Sequence, residues 1–246
     1  MISIDLNCDM GEGIDNDALI MPFISSVNIA CGYHAGDEAI IQKTIELSLQ
    51  HGIAIGAHPG FADKKNFGRS EQQLSSEQFY DLISEQLVII QRFINKAGAV
   101  LHHVKPHGAL YNMSAKDPSL ANNIAKAVKD HDTSLILYGL SNSHSIREAE
   151  KLNLKTASEV FADRTYTDAG NLTPRTAPDA LISAEQQSLQ QVLQMIQQQT
   201  VTSTHHKIIP VKADTVCIHG DGDHAVQFAR LIFTTLKKNN IAIKPV

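Results

Sequence analysis

The feature that most constrains the fold of this 246-residue chain is a regular alternation of short apolar runs with longer amphipathic stretches. The short runs predict β-strands, and the stretches between them predict helices because their apolar residues recur about every 3.6 positions. Strands are predicted at residues 2–6, 27–31, 53–57, 100–105, 134–138, 155–158 and 215–218. Such βα alternation indicates a parallel sheet covered by helices.

Three of the intervening helices have clear signals, and for two of them these signals lie at the helix ends. The segment 76–97 carries a helical apolar face, with Ser75 and a Gln three residues later as a capping box and Gly98 as a stop. A second helix is predicted to begin at Pro118, directly after an Asp that can serve as its N-cap. The Gln-rich segment 185–199 keeps a helical apolar face, so we interpret it as a solvated helix.

A parallel sheet of this kind can stay open and doubly wound, or it can close into a barrel. Seven strands spread over nearly the whole chain, with an eighth candidate at 241–243, favour a single TIM-barrel-like (β/α) barrel over residues 1–246. No repeat, linker or domain boundary is evident. The polar connection 163–179 is predicted to be a loop over the mouth of the barrel.

The amino-acid composition argues against several classes of function. The formal charge of −5 gives no basic footprint for nucleic acid or for an anionic membrane surface. The first ten residues hold two acids and no basic residue, which is not the pattern of a signal peptide, and no apolar run approaches the roughly 18 residues of a membrane span. We therefore expect a globular cytoplasmic protein.

The first strand carries the strongest sign of a functional site. Side chains alternate between the two faces of a strand, so Asp5, Asn7 and Asp9 share the face opposite to the apolar residues. Strands of a parallel barrel are normally apolar on both faces. Two carboxylates and an amide inside the barrel would cost several kcal/mol unless hydrogen bonds, a ligand or a metal satisfied them.

The same pattern recurs at the C-terminal ends of the other strands, in most cases just before a Gly or Pro. These ends carry the side chains of His34, His58, Lys105, His107, Glu159, Arg164, His219 and Asp221. In a barrel all of these ends meet at one mouth, where the chemistry of such folds takes place. We predict an active site there, formed by residues from six strands.

Two alternatives remain open for this predicted site. Asp9, His34 and His58 could bind a divalent cation, since carboxylates and imidazoles suit Zn, Mn or Fe, but no HExxH motif supports it. The rival is a metal-free, hydrogen-bonded acid/base cluster. Lys105 could likewise hold a substrate oxyanion, or it could be buried in an ion pair with Asp5 or Asp9.

Long motifs along the whole chain resemble those of the LamB/YcsF family. They are DLNCDMGEG (5–13), VNIACGYHAGD (27–37), GAHPGF (56–61), FGR (67–69), VKPHGALYN (104–112), EVFADRTY (159–166), LTPR (172–175) and CIHGD (217–221). The resemblance implies a seven-stranded barrel similar to those of the glycoside hydrolase/deacetylase superfamily. It also implies one component of an ATP-dependent 5-oxoprolinase, which acts with subunits B and C to open the lactam of 5-oxo-L-proline and give L-glutamate.

In that reaction ATP would activate the lactam on the partner subunits, because this sequence lacks a GxGxxG or P-loop motif. As a hypothesis, Asp9 or His34 is the base, and His107 or His219 is the acid that protonates the ring nitrogen. Lys105 would hold developing negative charge. The substrate would contact Asp5, Asn7, His58, Glu159, Arg164 and Asp221, with Asp5 and Asn7 orienting the reacting groups from behind and Arg164 holding the carboxylate.

Two other classes of function also fit the residues. The chain could be a stand-alone metal-dependent deacetylase or amidase on the same barrel, which would work without ATP and stop when a chelator is added. It could also be a non-catalytic regulatory subunit whose polar mouth binds a small molecule.

Overall fold

The computed structural model describes residues 2–220 and 225–246. Its strands, in chain order, are β1 (Ser3–Met10), β2 (Ser26–Ala30), β3 (Ala54–His58), β4 (Leu101–Val104), β5 (Ile136–Leu140), β6 (Lys155–Phe161), β7 (Thr200–Thr202), β8 (Ile208–Pro210), β9 (Thr215–Ile218) and β10 (Ala242–Ile243). All seven strands predicted from the sequence are present, with boundaries that differ by up to four residues.

Seven of these strands form a closed parallel barrel. The order β1-β2-β3-β4-β5-β6-β9 returns to β1, and β1 pairs with β9 through Asp5 opposite Thr215. The strand predicted at 241–243 is β10, and it pairs with the start of β1 below the point where β9 joins, so it adds nothing to the ring. The short antiparallel hairpin β7–β8 was not predicted.

Helices lie between the barrel strands in the described ranges. They are α1 (Asp17–Ile20), α2 (Glu38–His51), α3 (Ser76–Lys96), α4 (Gly108–Lys116), α5 (Pro118–His131), α6 (His144–Lys151), α7 (Glu185–Gln198) and α8 (Ala225–Lys238). The predicted capping box at Ser75 is formed, and Asp117 caps α5. No helix in the described part of the chain is both long enough and apolar enough to cross a membrane.

One boundary error matters for the site. The sequence predicted that the first strand ends at residue 6, whereas β1 continues to Met10 and therefore carries Asp5, Asn7 and Asp9 on one continuous inner face. The prediction stopped early because polar residues usually end a buried strand. Here they continue it, because partners from other strands satisfy their hydrogen bonds inside the barrel.

The apolar core fills the space between the barrel and the helices. Ile4, Leu6 and Cys8 of β1 point outward into this layer and are buried, as their alternation with the polar residues requires. The main apolar cluster extends from Ile4 to Ile241, and a small second cluster consists of Ile136, Tyr138 and Ala157. The outer faces of the strands therefore carry the core, which leaves the inner faces free to hold polar side chains.

Candidate active site

A cavity of about 440 Å³ opens at the C-terminal ends of the barrel strands. The connection between β6 and α7, predicted as a loop over the mouth, contributes residues 172–176 to its wall. Of the predicted site residues in the described part of the chain, six line the cavity: Asp9, His58, Lys105, His107, Arg164 and His219. Asp221 lies outside the described residues.

Asp5 lies deep in the barrel and is bound by hydroxyl groups. Its Oδ1 atom accepts hydrogen bonds of 2.6 Å each from Ser25 and Ser26, and its Oδ2 atom accepts from Thr215 at 2.6 Å and from Tyr138 at 3.1 Å. Burial raises the pKa of the Asp5 carboxyl above its ordinary value, although the four hydroxyl groups oppose that shift. Asp5 is not among the described residues that line the cavity.

A layer of amides lies above Asp5. The Asn7 Nδ2 atom donates to Glu159 Oε1 at 2.9 Å and to Thr215 Oγ1 at 2.7 Å. Asn28 donates through Nδ2 to Asn7 Oδ1 at 2.8 Å and accepts at its own Oδ1 from His103 Nε2, also at 2.8 Å. Asn7 and Glu159 are buried by these partners rather than exposed to the cavity. They therefore form the floor of the site.

Lys105 connects this floor to the mouth. Its ammonium lies 2.8 Å from Glu159 Oε1, 2.9 Å from Asp9 Oδ1 and 3.2 Å from Asn7 Oδ1, and 3.1 Å from Cys217 Sγ. Burial alone would lower the pKa of Lys105, but the carboxylates of Asp9 and Glu159 hold it well above its ordinary value. Of the two alternatives for Lys105, the structure has the buried ion pair, with Asp9 and Glu159 as partners instead of Asp5.

Asp9 is the carboxylate that reaches the cavity. Besides Lys105, its Oδ1 atom accepts from Asn28 Nδ2 at 2.8 Å, while its Oδ2 atom lies 3.3 Å from His58 Nε2. Burial would raise the pKa of Asp9, yet His58 and Lys105 hold it well below the ordinary value. Asp9 is therefore ionised at neutral pH, and one of its oxygens points toward the imidazoles.

Three imidazoles and a glutamate meet beside Asp9. His107 Nδ1 lies 2.9 Å from His58 Nε2, and Glu12 Oε1 lies 3.2 Å from His34 Nε2 and 3.4 Å from His107 Nδ1. The rings of His34 and His107 stack with centroids 3.8 Å apart. Burial lowers the pKa of His34 to about 3 and the pKa of His107 well below its ordinary value, so both rings are neutral at pH 7.

Backbone carbonyls fix the orientation of two of these rings. His58 Nδ1 lies 2.7 Å from the carbonyl of Lys105, and His107 Nε2 lies 2.9 Å from the carbonyl of Phe67. The second contact depends on a tight turn in which Phe67 and Gly68 both have positive φ, 55° and 64°. A Cβ atom at Gly68 would lie 2.8 Å from the His34 side chain, so the close approach of this loop requires glycine.

A separate acid–imidazole pair lies on the other side of the mouth. Both carboxylate oxygens of Asp163 lie 2.8 Å from His219 Nδ1, and Arg175 donates through Nη2 to His219 Nε2 at 3.1 Å. Burial would raise the pKa of Asp163, but His219 and the guanidinium groups of Arg164 and Arg175 hold it below its ordinary value. The acid thus fixes the ring and keeps its Nε2 atom toward the cavity.

Arg164 is buried in the wall of the cavity. It donates through Nε to the carbonyl of Ala180 at 3.3 Å and through Nη2 to the carbonyl of Thr173 at 2.6 Å. Burial lowers the pKa of its guanidinium to about 10, which still leaves it charged at neutral pH. Arg175 is exposed at the rim. Two positive charges therefore flank the entrance.

Two groups at this mouth have the composition of a metal-binding site. Glu12, His34, His58 and His107 each offer a ligand atom, and these atoms lie within 4.8 Å of one another. Asp9, Cys217 and His219 form a second such group. Of the residues that the sequence suggested for a metal, His34 and His58 fall in the first group and Asp9 in the second, beside it.

The sequence analysis assigned no role to three residues that the structure brings to the site. Glu12 follows β1 in the turn at 11–13, Asp163 follows β6, and Asn28 lies on the inner face of β2. Asn28 could have been found from the strand alternation that identified Asn7. Glu12 and Asp163 lie beyond their strands, where alternation no longer says which way a side chain points.

Comparison with known proteins gives a consistent result. The model of the LamB/YcsF family matches residues 4–246. The chain is 50% identical to the 5-oxoprolinase subunit designated A from Brevibacillus brevis, over 99% of this chain and 98% of that protein, and 48% identical to its namesake from Bacillus cereus with the same coverage. The crystal structure of a lactam utilization protein from Thermus thermophilus matches with a TM-score of 0.93 at 36% identity, over 100% of both chains.

Proposed function

The chain belongs to the LamB/YcsF family, and from this premise we propose that it is the corresponding subunit of a 5-oxoprolinase, the one designated A. In this proposal it works with subunits B and C and consumes ATP, and it hydrolyses the C–N bond of 5-oxo-L-proline to give L-glutamate. The observation that carries the proposal is that full-length relatives at about half identity bear this name, while the barrel mouth holds oriented acid and base groups around one cavity.

The need for ATP follows from the chemistry of the substrate. Amide resonance makes the lactam carbon a poor electrophile, and an opened five-membered ring closes again readily. Phosphorylation of the lactam oxygen removes the resonance and makes hydrolysis effectively irreversible. Because the sequence has neither a P-loop nor a GxGxxG motif, we assign the phosphorylation to the partner subunits.

The groups in this chain are suited to the steps that follow. A water molecule adds to the activated carbon and loses a proton to a base, and the ring C–N bond then breaks as the nitrogen takes up a proton. The product is an acyl phosphate, and a second water hydrolyses it to the γ-carboxylate and phosphate. We place the base in the group that contains Asp9, and we assign protonation of the nitrogen to His219, which Asp163 orients. For this step His219 Nε2 has to leave Arg175 and take up the proton released by the first water, which it then gives to the ring nitrogen.

The remaining predicted residues have supporting roles in this proposal. Lys105 has four partners among the described residues, so it holds Asp9 ionised and in place, and a substrate oxygen would have to compete with those partners. Asn7 and Glu159 fix Lys105 from below. The positive charges of Arg164 in the cavity wall and of Arg175 at the rim suit the α-carboxylate of the substrate.

Reconstitution tests this function directly. The chain is mixed with subunits B and C, 5-oxo-L-proline and ATP, and glutamate is measured while each component is omitted in turn. We expect glutamate only in the complete mixture, and we expect a chain with Asp9→Asn to give almost none. Glutamate formation that does not need this chain would contradict the proposal. Equal rates with Asp9→Asn would instead favour a regulatory role for the chain.

One observation favours a second candidate. The group formed by Glu12, His34, His58 and His107 has the composition of a hydrolytic metal site, so the chain could be a stand-alone metal-dependent deacetylase or amidase. That function predicts hydrolysis of a simple N-acetyl or amide substrate by this chain alone, without ATP, and its loss on treatment with a chelator. The same omission series therefore separates the two candidates.

A further inference from the structure

The imidazoles at the mouth present a problem of hydrogen bonding. A carbonyl oxygen only accepts, so the contact of His58 Nδ1 with the Lys105 carbonyl places a proton on that nitrogen. The contact of His107 Nε2 with the Phe67 carbonyl places a proton there for the same reason. The remaining ring nitrogens, His58 Nε2 and His107 Nδ1, face each other at 2.9 Å, so a proton or a cation has to lie between their two lone pairs.

Carboxylate oxygens surround these two lone pairs. Asp9 Oδ2 lies 3.3 Å from His58 Nε2, and Glu12 Oε1 lies 3.4 Å from His107 Nδ1 and 4.0 Å from His58 Nε2. Acceptors that converge in this way repel one another unless a positive species lies between them. A proton can serve only one pair of atoms, whereas a divalent cation can serve the whole group.

We infer that Glu12, His58 and His107 bind one divalent transition-metal ion, with Glu12 Oε1, His58 Nε2 and His107 Nδ1 as ligand atoms and Asp9 Oδ2 beside them. This inference rests on the geometry of the group and does not require the proposed lactam chemistry.

Two of the three separations between the ligand atoms fit such an ion. Metal–ligand bonds of about 2.0–2.2 Å place neighbouring ligand atoms about 2.9–3.4 Å apart in octahedral or tetrahedral shells. The distances from His107 Nδ1 to His58 Nε2 and to Glu12 Oε1, 2.9 Å and 3.4 Å, fall in this range. The third, 4.0 Å between His58 Nε2 and Glu12 Oε1, is wider, so the Glu12 side chain has to shift toward His58 when the ion binds. All three residues also line the cavity, so a bound ion would keep an open position toward a substrate.

The surroundings of the ligands also match those of metal sites. A metal-bound histidine almost always donates its other ring N–H to a carbonyl or carboxylate, as His58 and His107 both do here. His34 takes a supporting role instead of a ligand role. Its buried Nδ1 atom has no partner among the described residues, which leaves that nitrogen as the unprotonated one, so Nε2 carries the proton and donates to Glu12 Oε1. This revises the ligand set suggested by the sequence, which contained His34 and lacked Glu12 and His107.

Metal binding by the full chain tests the inference without any activity assay. The protein is stripped with a chelator and titrated separately with Zn²⁺, Mn²⁺ and Co²⁺ by calorimetry, and bound metal is counted by mass spectrometry. We expect one tight site per chain for at least one of these ions, with a visible Co²⁺ spectrum that reports nitrogen ligands. The alternative is a proton shared between His58 and His107, and it predicts no stoichiometric binding of any ion.

Matched variants locate the site. Glu12→Gln should weaken binding by at least about tenfold, since a carboxylate ligand is lost. Glu71→Gln makes the same chemical change at an exposed position on the same cavity and should leave the affinity unchanged. His107→Ala should abolish binding, with circular dichroism to verify the fold. Equal affinities for the two glutamine variants would overturn the inference.

The outcome is separable from that of the proposed function. Full glutamate formation by metal-free protein in the complete complex would refute the catalytic use of this centre while leaving the proposed reaction intact. A protein that binds one ion per chain but gives no glutamate with its partners would support the metal site and contradict the proposed reaction.

Discussion

The interior and the mouth of the barrel are both lined by the inner face of β1, yet the acid that β1 places in each region has a different role. In the interior, four hydroxyl groups bind Asp5, and no described cavity reaches it. At the mouth, Asp9 has one satisfied oxygen and a second that points to His58 beside an open cavity. A buried acid whose two oxygens both have hydrogen-bond partners has a structural role. An acid that keeps one oxygen free of such partners beside a cavity is available for chemistry.

The largest expected effect is at the mouth. Asp9→Asn keeps the shape of the side chain and an acceptor for Lys105 but removes the charge, so it should lower glutamate formation by the complete complex by about 10³-fold. The unfolding free energy should change little. Asp81→Asn, an exposed position on α3, is the matched control and should keep full activity. Activity within tenfold of the parent chain would remove Asp9 from the chemistry.

The interior gives the next largest effect, on stability. Asp5→Ala leaves four buried hydroxyl groups without their shared acceptor, and the unfolding free energy should fall by about 3 kcal/mol in urea denaturation. Asp5→Asn keeps an acceptor and should lose less. The folded fraction of either variant should retain its affinity for substrate. If Asp5→Ala were as stable as the parent chain, the contrast between the two regions would be wrong.

A smaller loss is expected from the acid that orients His219. Asp163→Asn removes the charge that holds the ring, and it should lower kcat about 10- to 100-fold, a part of what a general acid contributes. The KM for 5-oxo-L-proline should stay nearly the same, because Asp163 acts through His219 instead of through the substrate. A rise in KM at constant kcat would indicate that the pair binds substrate and transfers no proton.

The smallest expected effect is on the unfolding free energy, which depends on pH through the buried carboxyl group of Asp17. Burial raises the pKa of Asp17, which accepts from the Gly11 N–H, to about 6. Between about pH 4 and pH 6 the folded state holds this proton while the unfolded state releases it, so stability falls as pH rises. Asp17→Asn should therefore be more stable than the parent chain at pH 7.5, by up to about 1 kcal/mol.

The comparison at pH 4 completes that experiment. There the parent Asp17 is protonated and neutral in the folded state, so the two proteins should unfold at the same urea concentration. A difference that persists unchanged from pH 4 to pH 7.5 would show that the substitution acts through packing and not through the charge of Asp17.

Much of the fold could be predicted because its signals are local. The seven strands, the capped helix α3 and the helix that begins at Pro118 all follow from periodicity and end signals within short windows. The convergence of Asp9, His58, His107 and His219 followed from the same reasoning, since parallel strands in a barrel must end at one mouth. The hairpin β7–β8 was missed because its strands are only three residues long.

The sequence by itself determined which side chains face into the barrel, because alternation along each strand is fixed by backbone geometry. Only the tertiary structure decided how those side chains pair. Asn7 binds Glu159 and Thr215, more than 150 residues away, and the turn at Phe67 sets the tautomer of His107. Such contacts depend on distances of a few tenths of an ångström between remote segments, and no local pattern in a chain carries that information.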